Sequence, residues 1–319
     1  MTEKIIDGIG LNLSSLPAGR IDLVPGLLHR WAEAGCSHVE LTARTLDLIV
    51  AGRPDRTRLD AVGQMVADAG LRPVLHANHA INLMDERDPA MHWRVATASV
   101  QACAHLGCPS MVIHSGHLPL AVFAAEGPAR LAAERDAWRR LGDLAGPAGV
   151  RLAVENLIAS RTRHCYGADP LALAEQIAAV DHPAVGVCLD FGHAWLSATT
   201  LGFDYVPALA ALSPLVWHLH LHDNCGRPGD PGDAGDAASL GIGDMHAPIF
   251  DGTIPWETLL PALHLRPGCF GGIELNGRYN TRAAEIVTAA MGIAAYYNEG
   301  RALPARPGPR PETGDLPCA

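Results

Sequence analysis

The chain predicts an α/β protein, a single (β/α)8 barrel, on three observations. Short apolar runs that stop at a polar cluster recur along it: PVLHANH, MVIHSGH, LAVENL, VGVCLDFGH, WHLHLHDN and GGIELN. Stretches long enough for a helix separate them. An acid or a histidine falls near the end of almost every run after the second, from His76 to Glu274. Successive barrel strands present their catalytic groups from that position.

The units follow in order. Strand one is read in IIDGIGLNL, followed by helix LVPGLLHRWAEAG; strand two is HVELTA, whose Glu40 points to the pocket or to a neighbouring strand. Helix two is TRLDAVGQMVADAG. The third unit joins PVLHANH to helix PAMHWRVATASVQACAHLG, and the fourth joins MVIHSGH to a helix through LAAERDAWRRLGDLAG. Each helix shows apolar residues at three and four spacing. LAVENL, VGVCLDFGH, VWHLHLHDN and GGIELN open the last four units, with helices expected at 170–180, 204–212, 256–263 and 281–296. Gly70, Gly107, Gly149 and Gly268 each fall between a helix and the next strand, where a left-handed cap reverses the chain.

At 319 residues and 48% hydrophobic composition the chain can fill one large core, so residues 1–301 are read as one barrel domain. Residues 302–319 are dense in proline and glycine and are expected to be disordered. No apolar stretch approaches the roughly 18 residues needed to span a bilayer, and MTEKIIDGIG lacks a basic segment followed by an apolar run. A cytoplasmic, globular protein is the expectation. The formal net charge of −10 disfavours a nucleic-acid partner, because gripping a phosphate backbone needs a basic face. GRPGDPGDAGD at 226–236 adds acid to a segment, 225–254, read as an active-site loop. No cysteine pair has the CxxC spacing of a zinc knuckle, and no GxxxxGK[ST] phosphate loop occurs.

Alternation along strand seven puts His218, His220 and His222 on one face and Trp217, Leu219 and Leu221 against the helices. A lone strand histidine is usually a hydrogen-bonded structural residue, so the joint pattern carries the argument. The candidate ligands are His76, His114, Glu155, Asp190, His193, His220, Asp244, His246 and Glu274. Imidazole and carboxylate suit zinc, manganese or iron, and one ion needs only three or four protein ligands; the surplus points to two or three ions.

At these residues the sequence resembles the xylose isomerase-like TIM barrels, a group that includes endonuclease IV and the sugar phosphate isomerases and epimerases. The resemblance covers about residues 5–297. HANHAINL at 76–83 looks like the endonuclease IV segment that a histidine opens. VIHSGH resembles its next histidine strand, with Ser115 where that family usually has proline. VEN at 154–156, CLDFGHA at 188–194, HLHD at 220–223, DMH at 244–246 and IEL at 273–275 continue the same order. The resemblance implies that His76 and His114 hold one ion and that Glu155 bridges it to a second, held by Asp190, His220 and Glu274. His193, Asp244 and His246 would hold a third.

The isomerase and epimerase branch uses a Glu, Asp, His, Glu quartet, which Glu155, Asp190, His220 and Glu274 would supply, leaving His193 free to touch substrate. HDNCG at 222–226 and GTIPW at 252–256 look more like the sugar-isomerase-like members than the nuclease, whose DNA-inserting loops have no evident counterpart.

Other residues bear on the substrate. Arg161 and Arg163, with His164, follow strand five, and Arg227 and Arg278 follow strands seven and eight; guanidinium groups there could meet a phosphate or carboxylate. His79 and His117 each lie three residues beyond a proposed ligand and could orient ligands or relay protons. Lysine is almost absent, against a Schiff-base aldolase. The expectation is a metal-dependent enzyme acting on a sugar-like or anionic small molecule, with Glu155, Glu274 and His193 as its catalytic groups. Hydrolysis of a small phosphoester is narrowly preferred to isomerisation or epimerisation of a sugar or sugar phosphate. Oxidative chemistry at iron is a third, minor reading.

Overall fold

The computed structural model of the chain describes residues 3–229 and 238–306. Eight parallel strands close into a barrel: β1 (Ile6–Asn12), β2 (His38–Thr42), β3 (Arg72–His76), β4 (Ser110–His114), β5 (Arg151–Glu155), β6 (Val185–Asp190), β7 (Val216–Leu221) and β8 (Cys269–Ile273). Their order around the barrel is their order in sequence, and β1 closes it by pairing with both β2 and β8. The (β/α)8 fold read from the sequence is the fold observed.

The helices are α1 (Val24–Glu33), α2 (Arg56–Asp68), α3 (Pro89–Leu106), α4 (Leu120–Ala145), α5 (Pro170–Val180), α6 (Phe191–Leu201), α7 (Tyr205–Leu212), α8 (Trp256–Leu259) and α9 (Ala283–Glu299). Local chemistry sets their ends. Asp88 caps α3 by accepting from the Met91 amide, Pro89 takes the first turn, and Gly107 at φ 70° ends the helix in the left-handed region. Two helices depart from the sequence reading. α4 starts at Leu120, upstream of the LAAERDAW stretch, and carries Pro128 inside it. α6 begins directly after Asp190, so Phe191 to His193, read as the end of strand six, form a first helical turn.

Strand alternation separates two cores. Leu152 and Val154 of β5, like Leu219 and Leu221 of β7, are fully buried in the layer between sheet and helices. Burying such a side chain contributes about 2 kcal/mol each. The opposite parity faces the barrel interior, where Val112, Ala153 and Cys188 form a small separate apolar layer. Two residues further along the same strands stand His114, Glu155 and Asp190, so the register lifts the polar groups toward the carboxyl mouth.

A short antiparallel pairing of His117–Pro119 with Arg163–Cys165 ties the loops after β4 and β5 together. In the segment expected to be disordered, residues 302–306 have irregular backbone, and Arg306 donates to the carbonyls of Gly252 (2.6 Å) and Ile254 (2.9 Å). Residues 307–319 lie outside the described residues, as does the acidic stretch 230–236. No described helix is long and apolar enough to cross a membrane.

Candidate metal centre

The structure brings every proposed ligand into one connected pocket. Glu155, at the end of β5, is its hub. Oε2 lies 3.1 Å from His76 Nε2 and 3.4 Å from His114 Nε2, while Oε1 lies 3.0 Å from His220 Nδ1 and 3.5 Å from His193 Nδ1. His220 Nδ1 also faces Asp190 Oδ2 at 3.5 Å and Glu274 Oε2 at 3.8 Å. Glu155, Asp190 and Glu274 thus converge on one nitrogen from β5, β6 and the end of β8.

Nearer the solvent, His193 Nε2 and His246 Nε2 lie 3.3 and 2.8 Å from Asp244 Oδ2, and His246 Nε2 lies 3.6 Å from Glu274 Oε2. Asp244 and His246 retain 22% and 25% side-chain exposure whereas Asp190 and His220 have none, so this trio forms the rim and the quartet the floor.

Local sequence explains the placement. Asp190 ends β6 and also caps α6, its Oδ1 accepting from the His193 amide at 2.7 Å. The D-x-x-H spacing therefore folds His193 back over the carboxylate that caps its own helix. His193 Nδ1 also sits 2.9 Å from the Asn156 carbonyl. His246 adopts φ 43°, the left-handed region that side chains rarely take, which aims its ring inward at a cost in backbone strain.

Three participants exceed the expected set. Glu40, fully buried inside the barrel, accepts from His218 Nε2 (2.8 Å), His220 Nε2 (3.2 Å) and Asn12 Nδ2 (2.9 Å). Asn12 donates in turn to Glu274 Oε1 at 2.6 Å. Gly272 makes room, since a Cβ there would stand 2.6 Å from Glu40 Oε2. His222, one residue past β7, places Nε2 3.0 Å from both Asp190 oxygens. The strand-seven alternation pointed to His222, and the carboxylate inside HVELTA pointed to Glu40. Asn12 gave no signal, because a lone amide at a strand end is common.

Burial works to lower the pKa of the His76, His114, His193, His220 and His246 imidazoles, and the carboxylates reverse the effect at some. The hydrogen bond and charge of Glu155 raise His76 to about 9, and Asp244 raises His246 to about 9. Asp190 and Asp244 lift His193 well above the ordinary range, and His220 is raised likewise. His114 stays low, at about 4, because burial outweighs Glu155. Burial opposes the charge on Glu155 and Asp244, yet the neighbouring imidazoles hold both well below the carboxylate range. Protons thus balance the buried carboxylates where a cation could.

The donor set fits a divalent cation. It is nitrogen and oxygen throughout, and groups with ligand atoms within 4.8 Å of one another include Glu40, His76, His220 and Glu274, and also His193, Asp244 and His246. His222 Nδ1 is buried without a hydrogen-bond partner, a ring nitrogen that a cation could engage.

The expected substrate cations make contacts of their own outside the ligand set. Arg161 is exposed on the loop after β5. Arg163 reaches His117, its Nη1 3.5 Å from His117 Nε2. His117 is tied to Asn82, whose Nδ2 donates to the His117 carbonyl at 2.8 Å. Arg227 donates to the Leu240 carbonyl at 2.7 Å, and Arg278 packs over the Tyr279 ring.

Behind the HSGH loop lies Glu134 of α4, fully buried, accepting from the Gly116 amide (2.8 Å) and from Gln176 Nε2 (3.3 Å). Burial pushes its carboxyl up to about 7. The folded chain therefore keeps a proton that the unfolded chain loses, so stability falls as pH rises from the ordinary carboxylate range through about 7. Thermal melts of wild type against Glu134→Gln between pH 5 and 8 should diverge, the wild type losing roughly 3 kcal/mol relative to the variant. Parallel pH profiles would contradict a protonated Glu134.

A closed barrel with imidazoles and carboxylates gathered at its carboxyl mouth defines the metal-binding class of (β/α)8 proteins. The chain belongs to the xylose isomerase-like TIM barrel family, whose model matches residues 28–291. No curated protein matches it.

Among solved structures it is similar to a D-tagatose 3-epimerase-like protein, at 17% identity and TM-score 0.67 over 90% of this chain and 98% of that one. It is similar to an IolI protein with a bound zinc atom, at 17% identity and TM-score 0.68 over 92% and 99%. It is also similar to a D-psicose 3-epimerase with D-tagatose from Clostridium cellulolyticum H10, at 14% identity and TM-score 0.64 over 92% and 99%. These likenesses establish the fold. The narrow preference for hydrolysis gains nothing from them, since two of the three carry epimerase names and none is named as a hydrolase.

Proposed function

We propose that the chain is a divalent-metal-dependent isomerase or epimerase of a sugar or sugar phosphate. The observation that carries this reading is the approach of Glu155 and Glu274 to one shared nitrogen, His220 Nδ1, at 3.0 and 3.8 Å from non-adjacent strands. Epimerase-named proteins of the same fold support it.

A divalent ion held by Glu155, Asp190, His220 and Glu274 would supply Lewis acidity, drawing charge from the carbonyl and hydroxyl oxygens of a bound sugar. The chain's own residues do the rest. One glutamate takes the proton from the carbon beside the carbonyl, and the other returns a proton to carbon or oxygen. His193 is exposed enough to reach a substrate hydroxyl, and Asp190 and the Asn156 carbonyl hold it in place. His76, His114, Asp244 and His246 stand around the same cluster and add nitrogen and oxygen groups that a polar substrate could meet.

The test is a panel of ketoses, aldoses and their phosphates incubated in D2O with manganese or zinc and followed by proton NMR. Loss of the carbon-bound proton next to the carbonyl of at least one sugar is the expected result.

Metal-assisted hydrolysis of a phosphoester stands as a second reading, because the rim trio and the His76 and His114 pair surround the same pocket as the quartet. Phosphate release with no exchange anywhere in the panel would select it over the first.

A further inference from the structure

We propose that His79 is a metal ligand, and that it makes His76, His79 and His114 a nitrogen-rich cation position distinct in chemistry from the carboxylate-rich quartet beside it. The idea rests on three observations. Each of the three imidazoles offers a ring nitrogen within 4.8 Å of the other two. The His79 ring lies 4.6 Å from that of His76 and 4.9 Å from that of His114, with His76 and His114 5.3 Å apart. His79 Nε2 is buried and has no hydrogen-bond partner, whereas His76 Nε2 and His114 Nε2 both face Glu155 Oε2.

The loop holds His79 in place. Asn78 Oδ1 accepts from the Ala80 amide at 2.9 Å, and the Ile81 amide donates to the Asn78 carbonyl at 3.0 Å, a turn that presents the intervening residue inward. Asn82 then fastens the loop to His117 through its side-chain oxygen and nitrogen, at 3.3 and 2.8 Å. A buried imidazole nitrogen with nothing to bind costs free energy that a cation would recover.

The donor type sets the selectivity. Three imidazoles with one Glu155 oxygen suit zinc or ferrous iron, whereas three carboxylates with His220 also accept manganese. Glu155 would serve both positions, one oxygen to each, as its distances already divide.

The experiment titrates zinc against a competing chelator for wild type, His79→Phe and His79→Ala, with circular dichroism to confirm folding. His79→Phe keeps a stacked ring and removes the nitrogens. The expected result is loss of one zinc equivalent in both variants, or a weakening beyond the roughly 10- to 100-fold that an outer hydrogen-bond partner contributes. An unchanged number of zinc equivalents, with affinity in His79→Phe within about 100-fold of wild type, would overturn the proposal and leave His79 as a ring that packs or orients its neighbours.

If the variants do not fold, X-ray absorption of wild type loaded with one zinc equivalent decides. Three imidazoles per zinc is the expected count, and two or fewer refutes it. Neither readout depends on sugar chemistry, so the isotope exchange test can fail while this one succeeds.

Discussion

Glu155→Gln is expected to reduce turnover by about a thousandfold or more, the range lost when a general acid or base is removed, and to release tightly held metal in the same step. The geometry concentrates both consequences in one side chain. Its two oxygens face His76 and His114 on one side and His220 and His193 on the other, so every cation position on the pocket floor shares it. An amide keeps the shape and loses the charge. It also turns an NH2 donor toward imidazole nitrogens that had faced a carboxylate oxygen. Steady-state turnover on whichever sugar exchanges its proton, together with metal content after dialysis, checks the prediction. A variant that retains its metal and within tenfold of its activity would remove Glu155 from the centre of the mechanism.

Glu40 should show the second large effect, without touching substrate. It lies below the pocket and accepts from His220 Nε2, so that Nδ1, turned toward Glu155, Asp190 and Glu274, is the nitrogen that would ligate a cation once its proton is displaced. A carboxylate behind a ligating imidazole fixes its tautomer and raises its basicity. Glu40→Gln should weaken metal binding by about 10- to 100-fold while the barrel stays folded. Glu40→Ala should cost about 3–5 kcal/mol of stability as well, because it strands His218, His220 and Asn12 in the interior without their shared acceptor. Metal titration separates the two variants from wild type, and denaturant melts separate them from each other. Equal metal affinity in Glu40→Gln would make Glu40 a structural acceptor only.

Much of the site was legible because strand alternation is strict. A ligand at the end of β4, β5, β6 or β7 has a same-parity neighbour two residues back that fills the barrel, as Val112, Ala153, Cys188 and His218 do for His114, Glu155, Asp190 and His220. That periodicity survives in the sequence. The helix starting at Phe191 was missed because the apolar run VGVCLDF continues unbroken into it, and only the capping role of Asp190 marks the boundary. The early start of α4 runs against local chemistry, since proline inside a helix removes a hydrogen bond, yet the helix carries Pro128 through.

Other features were out of reach of pattern. Whether Glu40 looked into the pocket or to a neighbouring strand depended on the space left by Gly272, across the barrel. The cations at Arg161, Arg163, Arg227 and Arg278 sit on loops whose direction no periodicity encodes. The balance between hydrolysis and isomerisation was equally unreadable, since both chemistries draw on the same ligands.

The central claim is that side chains from separate strands hold cations at one mouth of the barrel. Anomalous diffraction at the manganese edge from crystals grown with that ion tests it most directly. The expected result is a peak bounded by Glu155, Asp190, His220 and Glu274; an empty floor, with manganese absent or bound only at surface carboxylates, would contradict it.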